Sequence, residues 1–479
     1  MSMKGVFGIK RCLIVSILIL ILSGCSTMAP SYKQPAAPVP SSWPKGAAYK
    51  ETQTAAGENA AAGIIWQDFF VDSKLQKLIA MALENNRDLR IATLNIERSM
   101  AQYQIQRSAL IPKIDASASG TFQRVPQDFS ISGKSVTTHQ YNVGLGLSSY
   151  ELDLFGRVSN LKDQALEQYL ATEQVRRGVQ ISLISQVAAA YLTLTSDCER
   201  LRIANETLTS QQASYKLIKS RFDAGISSAL ALSQARTTVD GARVDIARYT
   251  SLVAQDENAL SLVIGAQVPV ELMPQALSDI LTALKDLPAG GLPSDVLLLR
   301  PDILQAENLL KGVNANIGAA RAAFFPRITL ASSVGFGSNE LAGLFSGGSF
   351  AWSFIPKISF PLFDAGSNTA NLKVAEVDRD IAVAQYEKAI QTAFREVADV
   401  LAQRGTINEQ LAAQQSLSDA SAESYRISLT RFEQGIDNYL TVLDAQRSLY
   451  IAQQGLIGVR LAKLNSLVTL YKVLGGGGI

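Results

Sequence analysis

Leu440, Asp444 and Arg447 are spaced i, i+4 and i+7, so on a helix an apolar side chain, a carboxylate and a guanidinium share one face. The chemistry open to that set is pairing: the two charges can hold surfaces together, and the leucine adds an apolar contact. Taken alone, Asp444 and Arg447 make a surface ion pair worth about 0.3–0.5 kcal/mol. Reaction chemistry is missing elsewhere. His139 is the single histidine and falls in an expected loop, so no Ser-His-Asp, Cys-His or multi-histidine metal set can form. Three cysteines cannot build a disulfide framework, and Cys198 falls where a small core residue would. Gly475 to Gly478 precede no helix and read as a tail rather than a phosphate loop. No enzyme, cofactor or metal is expected, and a net charge of +2 offers no broad basic surface to nucleic acid.

The turn that must position Leu440 and its neighbours occurs twice. "RFDAGISSALALSQAR" begins at Arg221 and "RFEQGIDNYLTVLDAQ" at Arg431, 210 residues later. Arg221/Arg431, Phe222/Phe432, Gly225/Gly435, Ile226/Ile436, Leu230/Leu440 and Ala235/Ala445 recur in register. After the glycine the copies diverge: Gln234 and Thr237 stand in the first copy where Asp444 and Arg447 stand in the second. The duplication is wider than the turn. "RSALIPKI" (Arg107 to Ile114) matches "RAAFFPRI" (Arg321 to Ile328), and "SYKLIKSRF" (Ser214 to Phe222) matches "SYRISLTRF" (Ser424 to Phe432). A period near two hundred residues is a whole module used twice, not a short solenoid unit.

Each module has the same order of parts. Residues about 75–108 and 300–322 have a helical pattern, closed by Pro112 and Pro326. Strands with period-two alternation follow, at about 113–125 and 140–154, then about 327–338 and 349–363 in the second module. One face carries Ile114, Ala116, Ala118 and Phe122, or Phe350, Trp352 and Phe354; the other carries small, mostly uncharged residues. Strands of roughly ten residues with aromatics near the ends of the apolar face suit a membrane barrel. Long helices complete each module, at about 159–222 and 228–264, then 368–432 and 437–473. In the first of these Val187, Leu194, Leu201, Leu208, Tyr215 and Phe222 recur every seven residues, with Ile184, Tyr191 and Cys198 in the companion position, as in a coiled coil. Some sixty residues make a rod of roughly 90 Å. The modules thus span 75–270 and 300–474, joined by a linker at 271–299 and followed by a Gly-rich tail at 475–479.

The amino terminus reads as a targeting segment. Lys4, Lys10 and Arg11 precede an apolar run too short to span a bilayer of ~30 Å. It ends in Leu22-Ser23-Gly24-Cys25, which resembles the lipobox of bacterial lipoproteins. Cleavage would remove residues 1–24 with three cations and no acids, taking the charge from +2 to −1. Cys25 would then carry the acyl chains at the head of an anchored segment 25–74, each buried CH₂ contributing about 0.8 kcal/mol. Ser26 follows where Asp would signal inner-membrane retention, so the resemblance to Gram-negative lipoproteins points to the outer membrane.

Lipid-exposed strand edges are forbidden, so four strands must close with other chains. Two chains give eight strands, whose interior side chains fill; three give twelve and an open lumen. The sequence resembles the TolC-like outer membrane factors, most closely the lipid-anchored OprM-like branch (NodT-type lipoproteins). The markers are "NNRDLR" (Asn85 to Arg90), "YELDLFGR" (Tyr150 to Arg157), "LPSDVLLLRPDI" (Leu292 to Ile303), "ANIGAARAAFFP" (Ala315 to Pro326) and "YLTVLDAQRSLY" (Tyr439 to Tyr450). The resemblance implies a homotrimer in which a 12-stranded β-barrel in outer-membrane lipid continues into a 12-helix periplasmic α-barrel. It implies passive export of compounds delivered by an inner-membrane pump, expected to be proton-driven, and a periplasmic adaptor. It assigns a periplasmic gate to Leu440, Asp444 and Arg447, and adaptor docking to Ala224, Gly225, Ile226, Gly435 and Ile436. With no methionine cluster to handle soft metals, small organic solutes are the expected cargo. A lipid-anchored coiled-coil scaffold with soluble hairpins and no pore is the competing reading. Heat-resistant trimers and single-channel conductance separate the two.

Replacing Cys25 by Ser is expected to block acylation while largely sparing trimer assembly, because closure depends on the strands. Recovery of monomers alone from Cys25→Ser membranes would refute this.

Overall fold

The computed structural model describes residues 27–49, 65–131, 133–274, 284–285 and 294–476. The expected signal segment 1–24, Cys25 and much of the 271–299 linker lie outside the described residues. In chain order the helices and strands are α1 (Trp66–Phe69), α2 (Ser73–Asn85), α3 (Arg87–Ser108), β1 (Asp115–Val125), β2 (Val136–Leu152), α4 (Arg157–Asp223) and α5 (Ala229–Ile264), then α6 (Pro301–Ala322), β3 (Arg327–Ser338), β4 (Phe350–Ser359), α7 (Ser367–Glu433) and α8 (Tyr439–Val473). Two compact units divide the chain, each drawing on both modules. One takes Met1–Pro35, described from Thr27, with Asn95–Thr172 and Gln305–Tyr386; the other takes Ala36–Leu94, Glu173–Leu304 and Glu387–Ile479.

The first unit holds a four-stranded antiparallel sheet in the order β1-β2-β3-β4. The two expected hairpins are therefore stitched into one sheet by pairing of β2 with β3. Its register separates the faces. Ala116, Leu145, Val334 and Trp352 stand side by side, as do Ala118, Val143, Phe336 and Phe350. The opposite face aligns Asp115, Gly146, Ser333 and Ser353, with Ser117, Gly144, Gly335 and Ala351 in the next row. The Ser333 and Ser353 hydroxyls are 2.8 Å apart. One face is thus apolar and aromatic, the other small and polar. Among the described residues the outer edges of β1 and β4 have no partner strand.

Two expectations about the strands need correction. β2 begins at Val136 rather than near 140, because the β-branched run Val136-Thr137-Thr138 favours extended backbone. His139 consequently lies in the strand opposite Phe122, ring centroids 5.2 Å apart, and not in a loop. β4 stops at Ser359, short of 363, although it tolerates Pro356 within its length. A bulge between Leu147 and Tyr150 shifts the β2–β3 register.

Helices leave the sheet through turns that only a few residues can make. After β2, Gly156 adopts φ +72° and the Asp153 carboxylate accepts from the amides of Val158 and Ser159 at 2.9 and 2.7 Å. After β4, Ala365 and Gly366 adopt φ +54° and +85°, and Asp364 accepts from Gly366 and Asn368 at 3.0 and 2.8 Å. A carboxylate at a helix start satisfies free amides and complements the helix dipole. Glu151 is held by Arg157 at 2.7 Å and also by Arg327.

The expected helix 75–108 is two helices, and the break at Asn86 lies in the second unit. Asn86 is extended; its side chain caps Leu89 N at 2.9 Å and donates to Val263 O at 2.7 Å. Gly265 closes onto this break, since a Cβ there would lie 2.5 Å from Asn85 O. Along α4 the seven-residue seam holds only in part. Ile184, Val187, Tyr191 and Leu194 are buried, whereas Leu201, Leu208 and Tyr215 are half-buried and Phe222 is exposed. Ile203, Ala204 and Ile218 take over the buried stripe. A straight helix drifts ~20° per heptad, which rotates a strict seven-residue pattern off the contact line. Cys198 is half-buried, and burial pushes its thiol up to about 11, so it is no nucleophile.

The sheet contains one backbone approach that a side chain would block. A Cβ on Gly335 would lie 2.2 Å from Val143 O, and one on the paired Gly144 would lie 2.6 Å from Val334 O. Gly335→Val is therefore expected to cut the yield of folded protein by about tenfold or more. Gly347→Ala, which meets nothing within 4 Å, should leave it unchanged. Equal yields of the two variants as folded protein would contradict the close approach.

Candidate functional site

The two repeated turns lie together in the second unit. At each, the long helix ends in the same hydrogen-bond pattern. Ile226 N donates to Arg221 O at 2.8 Å and Gly225 N to Phe222 O at 2.9 Å; Ile436 N donates to Arg431 O at 2.9 Å and Gly435 N to Phe432 O at 3.0 Å. This is the Schellman end, which requires a left-handed residue, and Gly225 and Gly435 supply φ +75° and +76°. The return helices start on side-chain caps: Ser228 accepts from Ala231 N at 3.1 Å and Asn438 from Thr441 N at 3.2 Å. Ala224, Gly225, Ile226, Gly435 and Ile436 are all exposed, Ile226 at 77% and Ile436 at 58%.

The divergence after the glycine now has a packing account. Tyr439 in the second copy replaces Ala229 of the first and stacks at a tilt on Phe432, 5.4 Å between centroids. Both are buried with Ile218, Ala235 and Val442. Phe222, their counterpart, stays exposed. Arg221 of the first copy lies over the Phe432 ring at 4.4 Å. Arg431 instead grips Asp437 through two bonds of 2.7 and 3.1 Å, and this pairing holds the Asp437 carboxyl below its usual range. Ser227 stands at the position of Asp437 in the first copy. This clasp was missed from sequence, although the Asp-for-Ser exchange beside the glycine was its signal.

Leu440, Asp444 and Arg447 share one face of α8. Asp444 Oδ1 meets Arg447 Nη2 at 2.9 Å, and both side chains are exposed. Leu440 is 49% exposed. Gln234 and Thr237, their counterparts from the first copy, line the same groove of about 350 Å³. At its far end Tyr450 donates to Asp245 at 2.9 Å, Arg248 pairs with Asp245 at 3.0 Å, and Tyr249 donates to Gln454 at 3.1 Å. Burial, with Asp245 beside it, pushes the Tyr450 phenol well above its ordinary value, so it remains a donor. The groove can make and exchange hydrogen bonds and ion pairs. Among the described residues no group of His, Cys, Asp or Glu could hold a metal ion.

A family profile described as outer membrane efflux protein matches residues 78–266 and 292–476. The toluene efflux pump outer membrane protein TtgC of Pseudomonas putida is 50% identical over 468 residues, 98% of this chain and 96% of that protein. The antibiotic efflux pump outer membrane protein ArpC of Pseudomonas putida is 50% identical over the same shares. Among solved structures, the open state of the Neisseria gonorrhoeae MtrE outer membrane channel superposes with a TM-score of 0.84 at 38% identity, covering 94% of this chain and 98% of that one. The chain belongs to the outer membrane efflux protein family: it resides in the cell outer membrane, serves efflux there, and catalyses no reaction.

Proposed function

We propose that three copies of the chain close into a passive exit duct for small organic compounds, a 12-stranded β-barrel continued by a 12-helix periplasmic barrel. The observation that carries this reading is the four-stranded sheet itself: an apolar face, a small polar face and two open edges. In a bilayer those edges must pair, and antiparallel pairing of β4 with β1 of a neighbour satisfies nearly all of their backbone groups, Pro356 having no N–H to give. The polar face then lines a wet lumen, and Trp352, Phe350 and Phe354 face lipid. An inner-membrane pump, proton-driven, and a periplasmic adaptor deliver the cargo. The toluene and antibiotic efflux roles named for TtgC and ArpC support organic solutes as that cargo. Cys25 carries the lipid anchor.

In this reading the exposed turns Ala224-Gly225-Ile226 and Gly435-Ile436 receive the adaptor, and Leu440, Asp444 and Arg447 form the gate. The Asp444–Arg447 pair within one helix is exposed and weak, so exchanging it for a pair across copies costs little. Three symmetry-related copies multiply each small difference, and pair energies of ~0.3–1 kcal/mol shift the closed population several-fold.

The expected readout is single-channel conductance in planar bilayers. Asp444→Ala should raise it several-fold, and adding Leu440→Ala should raise it further, while Gln234→Ala changes it much less. Equal effects of Gln234→Ala and Asp444→Ala would sink the specialised second copy. In cells, Gly435→Val should impair export at equal expression, because φ +76° strains a β-branched residue by about 1–2 kcal/mol or more. Unchanged solute tolerance in that strain would count against the docking role of the turn.

A further inference from the structure

The apolar face of the sheet carries one charge. Along β1 this face presents Ala116, Ala118, Gly120, Phe122 and Arg124 in turn. Followed across β2, β3 and β4, it meets no other Asp, Glu, Lys or Arg within the strands. Among the described residues no carboxylate pairs with Arg124, whose guanidinium donates to the Ser135 hydroxyl at 3.4 Å. Three rings stand below it on the same face. Phe122 meets His139 edge to face at 5.2 Å and Tyr141 at 5.7 Å. Phe122 and Tyr141 lean over Gly120, where a Cβ would lie 3.4 Å from the first ring and 3.7 Å from the second. Beneath the rings the face is not a smooth wall, because the β3–β4 connection turns back over it. Phe345 meets Phe336 at 5.5 Å, and Leu344 is buried. Ala116, Ala118, Val143, Leu145, Phe345 and Phe350 help to wall a cleft of about 530 Å³. Leu341 and Leu344, with Ala118, Gly120 and Tyr141, help to wall a second of about 340 Å³.

We propose that this face seats one molecule of the phosphorylated, multiply acylated glycolipid of the outer leaflet, its phosphate on Arg124 and His139 and its acyl chains in the clefts below. The seat requires the barrel proposed above, in which the apolar face meets lipid. All four junctions between sheet and helices leave from one end, so the β1–β2 and β3–β4 connections stand at the other. With the helices periplasmic, that other end is extracellular and lies in the outer leaflet. The placement of the charge selects the headgroup. A guanidinium does not lose its proton, and on a lipid-facing strand it is tolerated near the interface rather than at the midplane. Lacking a carboxylate of its own chain, Arg124 needs an anion from outside, and its fork of donors fits phosphate oxygens through two bonds. His139 stands in the adjacent row and offers a ring N–H. In the β1–β2 connection Lys134 adds a second cation and Asp128 the one carboxylate. Phe122 and Tyr141 then lie where headgroups give way to chains, the usual level of aromatic side chains. Depth selects the chains. The clefts begin at Gly120, four residues and about 14 Å below Arg124, within reach of an acyl chain under its own headgroup. Both volumes fall in the range of ligand clefts, ~300–1,000 Å³. Two clefts under one phosphate site suit a lipid of several chains.

The test is native mass spectrometry of the full-length protein in detergent, titrated with hexa-acylated bisphosphoryl lipid A or with phosphatidylglycerol. Conductance of the same preparations is read in planar bilayers. The wild type should bind lipid A about tenfold more tightly than phosphatidylglycerol, or better. Arg124→Gln should weaken lipid A binding about tenfold, the worth of one hydrogen bond to a charged group. Arg124→Lys, which keeps the charge, should recover most of it. Ala118→Phe fills the cleft and should also weaken lipid A binding, while both it and Arg124→Gln conduct like the wild type. Equal lipid A affinity in the wild type, Arg124→Gln and Ala118→Phe would overturn the seat. Equal affinity of the wild type for the two lipids would overturn it as well, since any anionic phospholipid would then serve. A conducting wild type that binds no lipid A would overturn the seat alone, whereas a wild type without conductance would overturn the barrel and the seat together.

Discussion

An unpaired strand edge cannot face hydrocarbon. Each exposed amide or carbonyl costs several kcal/mol there, and no water offsets it. Among the described residues β1 and β4 are each left with one open edge, eleven and ten residues long. The rest of the molecule follows from that. In the proposed trimer a chain that makes four strands closes with copies of itself, and its surfaces repeat around an axis. Duplication would ease that fit, because two similar modules per chain present nearly equivalent neighbours all the way round. The β2–β3 pairing makes those modules one sheet, so a single chain carries the joint that would otherwise be one more interface.

Departures from equivalence between the two modules include the stretch after the turn glycine. At the turns, Tyr439 and Phe432 fill the core between the copies while Ala229 and Phe222 do not. Asp437 and Asp444 bring carboxylates to the second turn and its return helix, where the first has Ser227 and Gln234. Backbone geometry is preserved across this change, down to φ values of +75° and +76° at the two glycines. The scaffold is thus common to both copies, and the carboxylates Asp437 and Asp444 stand in one of them alone.

Much of this was legible in the sequence, and the reasons for what was not are physical. Long helices and strands announce themselves by their periods, so α4, α5, α7 and α8 were placed to within two residues. Period-two alternation names a face but not a partner; β2 and β3, separated by the whole first coiled coil, could not be paired from it. Asn86 breaks a helix through one side-chain cap, a signal that apolar spacing hides. The heptad count overran Leu194 because a straight helix turns away from a strict seven-residue seam. The shared face of Leu440, Asp444 and Arg447 was legible in their spacing, whereas a gate role for them came only from the family resemblance. The packing of residues 27–35 was not legible, since an extended Pro-rich segment has no period and Arg321, which donates to Met28 O, lies 293 residues away.

The account turns on closure by three chains. Native mass spectrometry of the protein extracted from outer membranes, with detergent stripped in the gas phase, measures that number directly. The predicted result is a single species of about three mature chains, each somewhat below 51.5 kDa. A particle of one chain, or of two, would contradict it.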